Sequence, residues 1–286
     1  MLDAAFLARL EALALSSRRR ADSSLSGGHR AFRRGQSLEF ADHREYSPGD
    51  DVRHVDWQLS ARSDRLFVRL FESADDRTVR VLVDALASME GPRWEAAQKA
   101  AAAIAFASLC GLDRVQMFRL GESFSAEGGA QRGRSQIHRF FRFLSGPTGG
   151  RGELTSLPSS LSAPTGAPVT VLVSDLLVEN WESGLLSLRP RAGELHLIHV
   201  IDSNELRGLH LSGDLRLVDS EGRGELDVTI DRATRESFRA ASSAWLSEID
   251  SFGRKSGIGM LRIDAAGPVE ETLLSWLRAA SAGITR

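Results

Sequence analysis

The chain has 286 residues, and its 36 Lys and Arg nearly balance its 38 Asp and Glu, for a net charge of −2. This balance gives no electrostatic basis for binding nucleic acid or an anionic membrane. The length allows one large domain or two small ones. The single cysteine, Cys110, excludes a disulfide framework or a cysteine-based metal site within the chain, and it predicts a reducing, cytoplasmic location.

The N-terminal segment predicts an amphipathic helix rather than a signal peptide. Leu2, Phe6 and Leu10 fall on one helical stripe, whereas Asp3 and Glu11 interrupt the apolar run. The following stretch is rich in Ser, Arg and Gly, which favours a connector. Its arginines leave open an arm that binds anions or nucleic acid. No later apolar run is long enough to span a bilayer.

Residues 39–62 (EFADHREYSPGDDVRHVDWQLSAR) combine many charges with few aliphatic side chains. Ser47 to Asp50 predict a turn, and a helix is predicted from Asp51 to Arg62. Aromatic residues are interleaved with the charges, so we expect part of the charges to be buried and paired. The residues expected to form this network, which would fasten the N-terminal segment onto the following domain, are Arg44, Tyr46, Asp50, Asp51, Arg53, Asp56, Trp57 and Arg62.

From Val79 onward, strand-like and helix-like segments alternate. The predicted strands are 79–84, 115–120, 169–175, 195–202 and 260–264, and the predicted helices are 94–110, 135–144, 181–188, 235–252 and 269–280. This alternation predicts a doubly wound α/β domain with a mostly parallel sheet covered on both faces. We therefore expect an N-terminal subdomain at 1–75, an α/β domain at 76–286, and an inserted β-hairpin near 203–231.

Two aspartates stand where apolar strands end. Asp84 and Asp175 close their strands, and Ser88 follows Asp84 closely. Ligands of doubly wound sheets bind beyond the carboxyl ends of the strands, where the winding reverses, so we expect these side chains to share a crevice. Carboxylates with hydroxyls suit a hard cation such as Mg²⁺ or Mn²⁺. The alternative is that both aspartates only cap the turns after their strands.

Motifs of catalysis are missing. The sequence has no GxxxxGK[ST] phosphate loop, no GxGxxG after a strand and no GxSxG elbow. His196 and His199 fall on opposite faces of a predicted strand, so they do not form a ligand pair. These absences favour a non-enzymatic protein. The alternative is a divalent-metal-dependent hydrolase or phosphotransferase using Asp84 and Asp175, although Leu86 stands where many such phosphatases carry a second aspartate.

From about Gly27 onward the sequence resembles a bacterial family. The matching segments are EF.DHREYSPGDDVRHVDW..SAR....VR.FE, a strand ending in D-A-x-A-S-M, then VLVSDLL and HVID..EL.G. The family is the domain of unknown function fifty-eight, whose members carry a von Willebrand factor A-like domain. The resemblance implies a six-stranded, mostly parallel sheet with one antiparallel edge strand. Members are commonly encoded beside MoxR-type AAA+ ATPases, which implies an adaptor or substrate-recruiting partner of such an ATPase.

The resemblance also implies that the crevice is a metal-ion-dependent adhesion site. Its D-x-S-x-S pattern, with a Thr and a distant Asp, maps onto Asp84, Leu86, Ser88, Thr155 and Asp175. Leu86 stands where the first serine is expected, and a leucine cannot coordinate a metal. Because Mg²⁺ demands nearly complete octahedral oxygen coordination, we expect weakened Mg²⁺ or Mn²⁺ binding and a degenerate site that anchors a partner's side chain.

Overall fold

The computed structural model describes residues 3–26, 39–46, 55–63, 65–72, 77–121, 124–150, 152, 154, 161, 168–206, 212–220, 222 and 224–281. The chain divides into two compact units. One combines residues 1–25 with 78–286, and the other consists of residues 26–77. The first is the α/β unit, and the second carries the polar segment 39–62.

The helices and strands follow in chain order. The helices are α1 (Ala4–Ser26), α2 (Trp57–Ser60), α3 (Pro92–Cys110), α4 (Ile137–Leu144), α5 (Trp181–Ala192), α6 (Ser203–Leu206), α7 (Arg232–Ser256) and α8 (Val269–Ser281). The strands are β1 (Glu39–Glu45), β2 (Phe67–Glu72), β3 (Thr78–Asp84), β4 (Arg114–Leu120), β5 (Ser125–Ala126), β6 (Val169–Ser174), β7 (Glu194–Ile201), β8 (Gly213–Val218), β9 (Glu225–Ile230) and β10 (Gly259–Asp264).

The main sheet has six strands in the order β10-β7-β6-β3-β4-β5. The first five are parallel to one another, and β5 pairs antiparallel with β4 at the edge. From β3 the chain first adds β4 on one side and then β6, β7 and β10 on the other. The winding therefore reverses between β3 and β6, as in a doubly wound sheet. The predicted fold class, a doubly wound α/β domain with a mostly parallel sheet and one antiparallel edge strand, is confirmed.

Helices cover both faces of this sheet, which explains the nearly continuous apolar strands. One face packs against α1, α3, α4 and α8, with Val81 of β3 among its buried residues. The other face packs against α5 and α7, with Leu82 of β3 among its buried residues. The alanine-rich helix α3 is buried along most of its length. In the described part of the chain, no helix combines the length and apolarity needed to cross a membrane.

The N-terminal helix α1 belongs to the α/β unit. Phe6 and Leu10 of α1 are fully buried in the core formed with α3 and α8. The sequence analysis had instead grouped this helix with the polar segment as one subdomain, 1–75. The correction follows from the helix's own apolar stripe, which fills the core of the α/β unit.

The predicted hairpin is confirmed as the antiparallel pair β8 and β9. The helix after it, α7, begins seventeen residues before its first fully buried residue, Ile249. Phe238, near the start of this helix, is exposed. Further along the helix, Trp245 and Phe252 pack against the core.

The smaller unit contains the antiparallel pair β1 and β2. The predicted helix from Asp51 to Arg62 is wrong in its length, because α2 is a single turn. Asp56 caps that turn: its Oδ1 accepts hydrogen bonds from the backbone N–H groups of Gln58 and Leu59 at 3.0 and 3.1 Å. A cap at Asp56 starts the helix at the next residue. Residues 51–54 lie outside the described part.

Candidate functional site

Four strands of the main sheet end in the same local structure. Asp84, Asp175, Asp202 and Asp264 lie at or just after the ends of β3, β6, β7 and β10. Each carboxylate accepts a hydrogen bond of 2.9–3.0 Å from the backbone N–H two residues later. Such turns satisfy backbone donors where a strand stops. Capping of turns, the alternative role considered for Asp84 and Asp175, is therefore observed for both.

Asp84 and Asp175 lie at the same end of the sheet, where the carboxyl ends of β3 and β6 meet. The winding of the sheet reverses between these two strands. A pair of serines connects them. Ser174 Oγ donates to Asp84 Oδ2 at 2.6 Å, and Ser88 Oγ donates to Asp175 Oδ1 at 3.3 Å. The structure thus brings three of the predicted site residues, Asp84, Ser88 and Asp175, into one buried cluster. Below, this cluster together with Ser174 is called the rim.

The loop after β6 is strained where it leaves the rim. Leu176 has a φ of 56°, in the left-handed region that a branched side chain rarely adopts. Its backbone N–H donates to Ser174 Oγ at 3.0 Å. Ser174 therefore accepts from its own loop and donates to the neighbouring strand's aspartate. Strain of this kind persists only where surrounding contacts determine the backbone, so the rim has a fixed geometry.

Leu86 fills the space beside Asp84. Its side chain is 1% exposed and packs with Leu120 and Leu154 in the core on this face of the sheet. Gly152 makes room for it, since a Cβ there would come within 2.9 Å of Leu86 Cδ2. Leu86 is thus a core residue, and it closes the part of the crevice where the adhesion-site pattern requires a hydroxyl.

Arg93, which the sequence analysis did not single out, lies beside Asp175. Its Nε is 3.6 Å from Asp175 Oδ2, and its Nη1 donates to Glu205 Oε2. Among the described residues, neither Arg93 Nε nor Asp175 Oδ2 has a hydrogen-bond partner. At 3.6 Å the contact is an ion pair rather than a hydrogen bond. Arg93 thereby connects α3, β6 and α6 at one edge of the sheet.

The charge of Asp175 is set by competing influences. Burial raises the pKa of the Asp175 carboxyl, and the hydrogen bond from Leu177 N–H, the Arg93 guanidinium and the Ser88 hydroxyl each oppose that rise. Glu205 adds to the rise. Burial prevails because a carboxylate that is 1% exposed has lost nearly all its hydration.

Beneath Asp175 lies a neutral histidine. His199 Nε2 is 3.1 Å from the backbone oxygen of Asp175, and its Nδ1 accepts from Arg262 Nε at 3.2 Å. Because an arginine only donates, the imidazole proton is on Nε2. Burial, with a smaller contribution from Arg262, lowers the pKa of His199 to about 4. The ring also meets Trp245 edge-on, with centroids 5.3 Å apart.

The rim residues do not fit a divalent cation. Leu86 offers no ligand, both carboxylate oxygens of Asp84 already accept hydrogen bonds, and Arg93 brings a positive charge against Asp175. In the part of the chain that the structure describes, no group of three or more His, Cys, Asp or Glu side chains could hold a metal ion. Thr155, the remaining predicted ligand, lies outside the described residues.

Half of the predicted polar network lies outside the described residues: the side chain of Arg44, and Asp50, Asp51 and Arg53. Of the remainder, Asp56 is buried as the cap of α2, and Tyr46 is half-buried. Trp57 is 65% exposed, and Arg62 is also exposed. The fastening role of the network stays a prediction.

Comparison with known protein families identifies the family of this chain. The family model described as "Protein of unknown function DUF58" matches residues 42–245. The chain belongs to this family. Uncharacterized proteins of Mycobacterium bovis and Mycobacterium tuberculosis are 29% identical to this DUF58 protein over 272 residues, which covers 91% of this chain and 85% of theirs.

Two solved structures are similar at low sequence identity. BatB from Bacteroides thetaiotaomicron is 11% identical with a TM-score of 0.41, covering 72% of this chain and 99% of that one. The vWF domain of the type V pili tip protein Mfa5 from Porphyromonas gingivalis is 12% identical with a TM-score of 0.30, covering 70% and 85%. The fold of the DUF58 protein rests on its own strand order rather than on these likenesses.

Proposed function

We propose that this protein is a non-enzymatic interaction module that binds another protein through the exposed loops around the rim. The observation that carries the proposal is that both rim aspartates already serve the fold: Asp84 and Asp175 cap their turns, and Arg93 pairs with Asp175. Carboxylates held in this way are poorly placed to move protons or activate water. A fixed, strained and buried cluster instead supports the loops that surround it.

Those loops present the surface that a partner would contact. Leu177 lies two residues after Asp175 and exposes 47% of its surface, although its backbone N–H is fixed by the Asp175 carboxylate. Glu205, held by Arg93, exposes half of its side chain. An exposed apolar side chain and an exposed carboxylate on these loops support a partner with matching apolar and basic groups.

The partner in this proposal is a MoxR-type AAA+ ATPase, for which the protein acts in the cytoplasm as an adaptor or substrate-recruiting subunit. Membership of the DUF58 family supports this partner, because the resemblance to that family implies it. Binding would use the degenerate adhesion-type crevice, with its polar residues as supports for the exposed loops rather than as metal ligands.

The test measures binding of a purified MoxR-type ATPase from the same host by surface plasmon resonance. We expect Leu177→Ser to weaken binding by about tenfold or more, since exposed apolar anchors carry much of the binding energy. The matched control is Leu186→Ser, because Leu186 is equally exposed (49%) but lies on α5. Equal binding by both variants would contradict the use of the rim.

Turnover assays test the enzymatic alternative. The purified protein, supplied with Mg²⁺ or Mn²⁺ and phosphate-ester or anhydride substrates, is expected to show no hydrolysis. Metal-dependent turnover that Asp84→Ala abolishes would overturn the proposal in favour of a hydrolase or phosphotransferase that uses Asp84 and Asp175.

A further inference from the structure

Arg93 occupies an unfavourable position for an arginine. It is the second residue of α3, directly after Pro92. The first turn of a helix carries a partial positive charge from its unpaired N–H groups, so a cation there is repelled. Nearby carboxylates can offset that repulsion by pairing with the guanidinium.

Two carboxylates from different parts of the chain do so. Asp175 follows β6 and Glu205 lies on α6, after β7, and both pair with the Arg93 guanidinium. Arg93 is itself largely buried, with 15% of its side chain exposed. One positive charge at the start of α3 therefore links the segments that follow β6 and β7.

We propose that the Arg93 guanidinium is the resident cation of this rim and takes the place of a divalent metal. The geometry supports this in three ways: the charge faces the buried carboxylate of Asp175, Leu86 fills the ligand position next to Asp84, and both oxygens of Asp84 accept hydrogen bonds from the protein. A divalent cation at Asp175 would lie against a guanidinium, and like charges at such distances repel strongly in a buried site.

Partner binding at the rim is then independent of divalent metal. This inference concerns the surface used by the proposed function, but its test measures only cation binding and folding stability. Failure of the ATPase to bind would leave the role of Arg93 intact, and metal binding by the wild-type protein would leave partner binding open.

The first experiment titrates the full-length protein with Mn²⁺ and Mg²⁺ and follows its melting temperature and the heat of binding. We expect no binding heat and no shift in melting temperature up to about 5 mM, since a ligand stabilises only the state that binds it. Binding in the wild-type protein that Asp175→Asn abolishes would overturn the proposal.

The second experiment is a double-mutant cycle between Arg93 and Asp175. Arg93→Gln leaves a buried carboxylate without its cation, so we expect the melting temperature to fall by roughly 5 to 10 °C. Adding Asp175→Asn removes that carboxylate and is expected to recover part of the loss, with a coupling of roughly tenfold in the unfolding equilibrium constant. Additive effects of the two substitutions would overturn the proposal.

Two further variants separate charge from packing. Arg93→Lys keeps the positive charge, so it is expected to retain more stability than Arg93→Gln, and it keeps the cycle measurable if the glutamine variant does not fold. Arg232→Gln is the matched control, because Arg232 pairs with Glu236 on an exposed helix face. We expect it to change the melting temperature by less than about 2 °C. A lysine variant no more stable than the glutamine variant would count against a role for the charge.

Discussion

The hydroxyl of Ser174 donates a 2.6 Å hydrogen bond to Oδ2 of Asp84, and both residues are fully buried. The bond joins the last residue of β6 to the last residue of β3, the two strands between which the winding reverses. In most doubly wound proteins that position is open to a ligand. Here it is closed by an internal bond between neighbouring strand ends, so the ligand-binding position of the fold has become part of its core.

Removing the hydrogen bond between Ser174 and Asp84 should lower the stability of the protein. Ser174→Ala leaves a buried carboxylate oxygen without that donor, and hydrogen bonds to charged groups contribute about 1.5–3 kcal/mol. We expect urea unfolding to show a loss of about 2 kcal/mol. Ser247→Ala serves as the control, since the Ser247 hydroxyl only bonds back to its own exposed helix. A loss no larger than that of the control would show that the strand ends do not depend on this bond.

Leu86 should behave as a core residue. Leu86→Ala removes a side chain that is 1% exposed, and truncations of this kind cost about 2–5 kcal/mol because they lose buried contacts and leave a cavity. Denaturant unfolding measures this loss directly. Leu177→Ala, on the exposed loop of the same rim, is expected to cost less than about 1 kcal/mol. Near-equal stability of the two variants would mean that the space beside Asp84 is open rather than filled.

His199 should make the protein less stable in mild acid. The unfolded chain binds a proton near pH 6.5, whereas the folded protein holds His199 neutral down to about pH 4. The stabilisation that results from keeping His199 neutral is therefore complete above pH 6.5. About 3 kcal/mol of the free energy of unfolding is lost as the pH falls to about 4. Urea unfolding between these limits measures the slope, which His199→Gln should remove.

Two comparisons separate this effect from others. The Asp175 carboxyl changes the stability in the opposite direction. Because its pKa is raised in the folded protein, the free energy of unfolding falls as the pH rises through that folded-state pKa. The slope is therefore also measured in an Asp175→Asn background. His138→Gln, on the exposed side of α4, should keep the wild-type slope. If His199→Gln keeps it too, the acid sensitivity arises elsewhere.

Substitutions of Asp56 test whether this residue acts as a helix cap or as a member of a charge network in the smaller unit. Asp56→Ala removes the acceptor for two backbone N–H groups of α2 and is expected to cost at least about 1 kcal/mol. Asn caps helices as well as Asp does, so Asp56→Asn should retain most of the stability if the cap is the main role. A loss in the asparagine variant as large as in the alanine variant would point to the buried ion pairs that the sequence suggests. Thermal unfolding followed by circular dichroism measures both.

The succession of strands and helices in the α/β unit could be predicted because its strands are short apolar runs and its helices have apolar stripes. The apolar run that became β3 and the alanine-rich run that became α3 were both identified close to their observed bounds. The strand β1 was missed, since its sequence EFADHRE carries charges where a buried strand carries aliphatics. The helix from Asp51 was predicted too long because charge spacing suggested pairing, whereas the cap at Asp56 decides where α2 begins.

The site was only partly predictable. Asp84 and Asp175 could be placed together, since parallel strands end at one edge and adjacent strands bring their ends close. Arg93 was missed because its partners are 82 and 112 residues away along the chain. One local signal was present: an arginine directly after a proline at a helix start opposes the helix dipole, and that position calls for a distant carboxylate.

The polar unit, residues 26–77, is inserted between α1 and β3, and both of those elements belong to the α/β unit. A protease that cuts once inside this insertion therefore breaks a covalent connection without freeing a domain. The N-terminal fragment would stay attached through Phe6 and Leu10, which are buried in the core of the larger unit. The nicked protein should migrate as one species under native conditions and as two under denaturing ones.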